Sequence, residues 1–360
     1  MFARTSVFGL ALTAGLTVLS DYSLASDLEQ CEAATAGEQQ RQDACDRVMH
    51  ASSASPRDRA RALVQLGRLV RMKPDGFSQW PGMLDAAVAA DPTYVPAILN
   101  RAEWFIFETK GHDAVRLLEP ALASNPRNVE LLVMLGRANA ALQLPDRALQ
   151  FFSEALDEDP HHMRASYEAG QAYEMVNEYK HAAEAYRKAG ESYDPSYVSQ
   201  GWLGIEDPNI PAARIYNRLG EVDKAAALLT TAIDRSPVGL VQANVFEARA
   251  SYYQALGRDE EAIADLTSAL RKANPDEHMP LLFKRSILYQ RTGKSREAEE
   301  DIGRALRSGD RRTVLRMQVY LRNQGYTEVT INGVADPGLM KLISACFATP
   351  KCSDGLGSPI

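Results

Sequence analysis

Residues 131–156 hold two apolar blocks separated by a short break. "LLVMLGRANAALQ" is followed by "PDRALQFFSEAL", and within each block apolar and small residues recur at steps of three and four. That spacing lines one face of an α-helix, so the two blocks predict an antiparallel helix pair. The pattern then returns. Pro92, Pro126 and Pro160 stand 34 residues apart, and Asp194-Pro195 arrives where the next is due. Ala114, Ala148 and Ala182 keep the same step, as do Ala121, Ala155 and Ala189. A fixed period of this length points to a stacked array of hairpins rather than to separate globular domains. Gly136 and Gly170 on first helices, with Ala148, Ala155, Ala182 and Ala189 on second helices, let the paired backbones approach closely. A larger side chain at these points overpacks the pair at a cost of about 1–3 kcal/mol. The proline after each second helix helps to end it, because it lacks an N–H and restricts the residue before it.

These positions resemble the tetratricopeptide repeat family, whose pattern sets Gly or Ala and then Tyr on the first helix, Ala, an aromatic and Ala on the second, then Pro. Here it reads Gly136, Asn139, Ala148, Phe152, Ala155 and Pro160, then Gly170, Tyr173, Ala182, Tyr186, Ala189 and Asp194. The preceding unit supplies Ala102, Phe105, Ala114, Leu118, Ala121 and Pro126. Later units carry Tyr216, Gly220, Ala225, Ala232 and Pro237; Tyr253, Gly257, Ala262, Ala269 and Pro275; and Tyr289, Gly293, Ala298 and Ala305. The steps between their key alanines are 43, 37 and 36 residues, so an inserted loop or lengthened helix is expected around "YVSQGWLGIEDPNIP". Trp202 within it either packs the irregular connection or is presented for recognition; packing is the reading adopted. Upstream, Ala62 to Pro92 reads as a degenerate unit and Cys31 to Ala51 as a shorter one. The resemblance covers roughly residues 28–310 and implies an all-α, right-handed superhelical solenoid of tetratricopeptide-type hairpins, assigned to 26–310.

After Gly309 the period stops. "VLRMQVYLRNQGY" predicts an amphipathic helix closing at Gly325, "EVTINGVADPG" a loop with an Asn-Gly turn, and "LMKLISACF" a second helix. This small helical module, 311–360, resembles peptidoglycan-binding-like modules through Gln318, Leu321, Gly325, Tyr326, Asn332 and Gly333. Asn332 replaces the usual Asp, and Asp336 and Leu339 stand where Gly and Thr are expected. The alternative is a capping hairpin over the end of the solenoid.

Composition adds a compartment. The opening "MFARTSVFGLALTAGLTVLSDYSLAS" has Arg4, an uncharged apolar run and small residues at Ser23 and Ala25, which reads as a signal peptide, 1–25, cleaved near Ala25. Export places the mature chain in the periplasm of a Gram-negative-type envelope, with no further stretch able to span a bilayer. The 360-residue chain carries 40 basic and 47 acidic residues, net −7, which argues against nucleic acid as a partner. The local exception is 304–322, with six Arg against one Asp: a solvated helix surface, or a holder of an acidic partner or an anionic wall polymer. Cys31, Cys45, Cys346 and Cys352 suit disulfides in an exported chain, and three pairings are open, local pairing closing the shortest loops. In the repeat register Cys31 falls on a first helix and Cys45 on its partner, so their bridge would staple the terminal hairpin.

No catalytic pattern is present: no nucleophile elbow, no phosphate-cradling Gly-rich loop and no metalloprotease helix, and no cofactor or metal is called for. His161 and His162 read as a solvated junction, and the carboxylates of "SEALDEDP" and "SREAEED" as a solvated face. What remains is binding. First helices line the inner side of such an array, and by register the groove set is Glu103, Arg137, Arg164, Tyr167, Gln171, Glu174, Arg214, Asn217, Arg218, Glu247, Gln254 and Arg291. That mixture suits an extended peptide or a partner helix, with Arg pairing carboxylates and Tyr167 giving apolar contact. The expected function is a non-catalytic scaffold that holds a protein in this groove and touches peptidoglycan through the last module. The alternatives are an envelope enzyme acting on peptidoglycan and a purely structural, capped solenoid.

Overall fold

The computed structural model describes residues 24–71, 73, 76–194, 206–236, 242–349 and 352. The leader up to residue 23, Pro195, Trp202 with most of the insertion, and Pro237 lie outside the described residues. Every regular element among the described residues is helical. The chain divides into two compact units, Met1–Asn177 and Glu178–Ile360.

In the first unit the helices are α1 (24–32), α2 (Glu38–His50), α3 (Pro56–Arg71), α4 (Gly76–Ala90), α5 (Val95–Phe107), α6 (Gly111–Ser124), α7 (Val129–Ala141), α8 (Pro145–Glu158) and α9 (Met163–Met175). The pairs α3/α4, α5/α6 and α7/α8 are antiparallel hairpins, and each second helix also packs on the next first helix. The degenerate unit expected to begin at Ala62 instead begins at Pro56. Ser55 and Asp58 cap it reciprocally, the Asp58 N–H donating to Ser55 Oγ (3.1 Å) and the Ser55 N–H to Asp58 Oδ2 (3.1 Å). Cys31 on α1 is bonded to Cys45 on α2, and both are fully buried among Ala44, Val48, Ala62 and Leu66.

Close approach inside the hairpins is steric. A Cβ on Gly136 of α7 would come within 2.7 Å of Phe152 Cδ1 on α8, and Phe152 is completely buried. Among the described residues, six tight turns between successive helices each hold one left-handed residue. Thr109 (φ 60°), Gln143 (φ 58°) and Asn177 (φ 62°) fill that place in the first unit, and Gly220, Gly257 and Gly293 (φ 71–80°) fill it in the second. Only glycine adopts this conformation without steric cost, so the first unit holds some strain at turns where the second holds none.

The second unit contains α10 (Tyr179–Glu191), α11 (Asn209–Arg218), α12 (Val222–Arg235), α13 (Ala243–Ala255), α14 (Asp259–Lys272), α15 (His278–Arg291), α16 (Ser295–Ser308), α17 (Arg311–Asn323) and α18 (Pro337–Phe347). Hairpins α11/α12, α13/α14 and α15/α16 follow one another, and α18 packs on α15, α16 and α17. One apolar core runs from Leu266, Leu282 and Leu288 through Ile302 and Leu306 to Val314, Leu321, Leu339, Ile343 and Phe347. Phe283 and Phe347 meet edge to face with centroids 5.7 Å apart, and Cys346 is bonded to Cys352.

Candidate functional site: the first-helix face

In the first unit α3, α5, α7 and α9 approach one another directly, as inner helices of a stacked array do. Their outward turns carry the predicted groove residues. Arg137 of α7 sits between Glu103 of α5 (3.3 Å) and Glu168 of α9 (3.1 Å). Arg164 of α9 reaches the same two carboxylates, Glu103 at 3.7 Å and Glu168 at 3.5 Å. Two guanidiniums and two carboxylates thus form one self-neutralised lattice across three helices. Burial, reinforced by the neighbouring Arg137 charge, draws the Arg164 guanidinium below its ordinary value, and the two carboxylates oppose that shift. The arginines expected to meet a partner's carboxylates are therefore already engaged within the chain.

Other predicted groove residues fall around this lattice. Tyr167 is 5% exposed, so it packs as core rather than offering apolar contact to a ligand. Gln171 is exposed and Glu174 half-buried on α9. At the foot of the face, His162 in the α8–α9 connection is engaged rather than solvated: its Nδ1 accepts the Ala165 N–H (3.1 Å) and caps α9, while Nε2 faces Glu130 at 3.2 Å. The His162 hydrogen bond holds the Glu130 carboxyl below the usual carboxylate range. His161 is exposed beside it.

In the second unit, Glu247 of α13 receives Lys284 Nζ of α15 at 2.6 Å, and Arg291 pairs with Asp259 at 3.2 Å. Arg218 lies over the Tyr179 ring, 4.0 Å from its centroid. Arg214, Asn217 and Gln254 are exposed. Glu168 and Lys284 complete the charge pattern without having been predicted. Each lies on a first helix facing a called residue, and reading charges across neighbouring repeats would have found them.

One residue departs from the solvated-face reading, whose other glutamates are exposed. Asp301, in "SREAEED", is 3% exposed and accepts both Nε and Nη2 of Arg285 at 2.7 Å. Arg285 Nη1 donates to Thr267 of the preceding hairpin at 2.8 Å. One repeat earlier Arg249, Asp265 and Thr230 make the same arrangement, with bonds of 2.7, 2.7 and 3.0 Å. These triads tie each hairpin to the one before it and are closed to any ligand. On α4 and α5, Phe77, Trp80, Trp104 and Phe107 form a ring cluster with centroid spacings of 4.9–6.5 Å; Phe77 and Phe107 are 47% and 64% exposed.

In the last module, Gln318 is 1% exposed and uses its whole amide. Its Oε1 accepts the N–H groups of Asn332 (3.0 Å) and Gly333 (2.8 Å), and its Nε2 donates to Asn332 Oδ1 and Val334 O, both 3.0 Å. Gly333 is left-handed, with φ 71°. Gln318, Asn332 and Gly333, three of the residues carrying the resemblance in this segment, therefore build one anchored loop. No group of three or more His, Cys, Asp or Glu among the described residues is placed to hold a metal ion, and no described helix is long and apolar enough to cross a membrane.

Residues 109–162, 152–196 and 211–278 match the tetratricopeptide repeat family. A curated relative is a probable UDP-N-acetylglucosamine–peptide N-acetylglucosaminyltransferase SPINDLY of Hordeum vulgare, 40% identical over 85 residues. That match takes in 24% of this chain and 9% of the relative, so this chain spans only a small part of that protein's length. Among solved structures, a human IFIT1 dimer with PPP-AAAA superposes with a TM-score of 0.51 at 16% identity, covering 80% of this chain and 72% of that one. Pseudomonas aeruginosa pilF gives 0.47 at 20% identity over 60% of this chain and 92% of that one. The likeness to IFIT1 is one of fold alone. It bears out the all-α, tetratricopeptide-type solenoid.

Proposed function

We propose that the chain is a non-catalytic scaffold of the bacterial periplasm that holds a protein partner on its first-helix face and rests its last module on peptidoglycan. The observation that supports the first part is the lattice of Glu103, Arg137, Arg164 and Glu168. It is partly exposed, spans three successive first helices and is fixed in geometry before any ligand arrives. A preorganised polar face of this kind costs little ordering on binding and selects partners by complementary charge and shape. It holds no nucleophile paired with a base, so its chemistry is recognition. For the wall contact, the supporting observation is the Asn332–Gly333 loop that Gln318 anchors. The packing of α18 on α15 and α16 supports the alternative, that the same segment caps the array.

Site-specific photocrosslinking in periplasm-producing cells tests the scaffold reading. A crosslinker at Gln171 should capture a defined protein, and one at Glu154 on the second-helix side should not. Capture independent of position, or none from Gln171, refutes the groove assignment. Cell fractionation with a reporter fusion tests export, and an all-cytoplasmic signal refutes it.

A further inference from the structure

Turns between helices face water and favour small polar residues. The first unit departs from that rule along one edge. Among its described residues, the large apolar side chains that stay exposed are Phe77, Phe107, Leu144 and Met175. Phe77 lies in the first turn of α4, Phe107 ends α5, Leu144 caps the start of α8 and Met175 ends α9, so all four stand where a first helix gives way to a second. They belong to one row. Phe77 and Phe107 meet with centroids 5.4 Å apart, and the next two turns touch, since a Cβ on Gly111 would come within 2.7 Å of Leu142 Cγ. Phe107 and Met175 hold the same repeat position, two 34-residue periods apart.

The row stops with the unit. First helices end in Phe107, Ala141 and Met175 in the first unit but in Arg218, Ala255 and Arg291 in the second, and the place of Leu144 is taken there by Glu221, Arg258 and Lys294. The left-handed turn position changes at the same point. It keeps a side chain in Thr109, Gln143 and Asn177, at a steric cost, and is glycine afterwards. Apolar exposure and a side chain kept despite strain thus mark the same edge, and departures from local rules of this kind collect at functional surfaces.

The charges beside the row identify what covers it. Glu108 holds Lys110 at 3.1 Å, Asp113 pairs with Arg116, and Asp146 is followed by Arg147, so the ionised groups around Phe107 and Leu144 balance. The chain is net −7 and two copies repel overall, which makes a balanced apolar edge the place where they can meet. A bilayer would instead call for flanking cations in excess. At 47%, 64%, 41% and 38% exposure the four side chains leave roughly 350 Å² of apolar surface, enough for the apolar centre of a standard interface of about 800 Å² per partner. We propose that this edge is the contact between two copies of the chain, related by a two-fold axis that crosses the row at its midpoint. That axis sets Phe107 against Leu144 of the second copy and Phe77 against its Met175, so each ring receives a flexible aliphatic or thioether side chain. The first-helix face and its charge lattice lie outside this contact.

Sedimentation equilibrium of the purified protein tests the proposal. The wild type should form a dimer, and nothing larger, at concentrations up to about 100 µM. F107K/L144K, which brings two like charges from each copy into the contact, should weaken the dimer by at least about a hundredfold and leave the circular dichroism melt unchanged, because both side chains are exposed. V319K/V334K, at exposed apolar residues of the second unit, should leave the dimer intact. Mixed under mild oxidation, F107C and L144C should crosslink to each other more than either does to itself. A wild type that stays monomeric, a dimer that survives F107K/L144K or dissolves with V319K/V334K, or preferential self-crosslinking overturns the inference. A monomer that floats with vesicles of phosphatidylethanolamine and phosphatidylglycerol overturns it too and assigns the edge to a membrane surface.

Discussion

Replacing Asp301 with Ala should destabilise the second unit far more than removal of any exposed acid. Asp301 and Arg285 are 3% and 7% exposed, and their two 2.7 Å bonds are the guanidinium's charge partners. After the substitution Arg285 keeps one neutral acceptor, Thr267 Oγ1, and remains a buried charge without a counterion. Breaking one side of such a pair costs about 3–5 kcal/mol, a large share of the roughly 5–15 kcal/mol that holds a domain folded. The exposed pair Arg116–Asp113, with Arg116 79% accessible, supplies the control: D113A should cost less than about 1 kcal/mol. Urea unfolding followed by far-ultraviolet circular dichroism measures both. Replacing both partners by apolar residues, R285M/D301L, should recover most of the loss, because no charge is then left buried. If D301A lies within about 1 kcal/mol of wild type, or if R285M/D301L is no better than D301A, the guanidinium is not held as described.

Three further outcomes follow from the packing. G136A should lose about 1–2 kcal/mol despite the better helix propensity of Ala, and F152L should relieve the clash, so a double-mutant cycle in chemical denaturation should show strong coupling. G257A, where a Cβ meets no atom within 4 Å, should cost about 1 kcal/mol through backbone strain alone, whereas Q143G at the corresponding first-unit turn should be neutral or stabilising; thermal melts that rank the pair oppositely refute the turn assignment. The Arg57 hydrogen bond, then Thr93, holds the Asp91 carboxyl below its ordinary value of 3.8. Between the lowered folded value and 3.8 the unfolded chain binds more protons, so stability rises with pH there. The contribution is complete above 3.8 and disappears as the pH falls through the folded value, and the stability gap between wild type and D91N should close over that window.

How far the sequence reveals this molecule depends on what kind of force acts at each position. Gly136, Ala148 and Ala155 were legible because close helix approach excludes larger side chains at every repeat, leaving a period that needs no structure to see. The glycines at 220, 257 and 293 were legible too, but the left-handed roles of Thr109, Gln143 and Asn177 were not, since those residues carry no preference strong enough to announce the turn. Charges misled the reading. Helical register assigns a charged residue to solvent by default, which puts Asp301 outside and hides the pairing of Arg137 and Arg164 within the chain. In the structure Asp301 is inside, and both arginines are bound to carboxylates from neighbouring repeats. The correct signal was recurrence at the array's own period: Arg249 and Arg285, like Asp265 and Asp301, stand 36 residues apart. A charged pair repeated in step with the small-residue pattern belongs to the stacking itself.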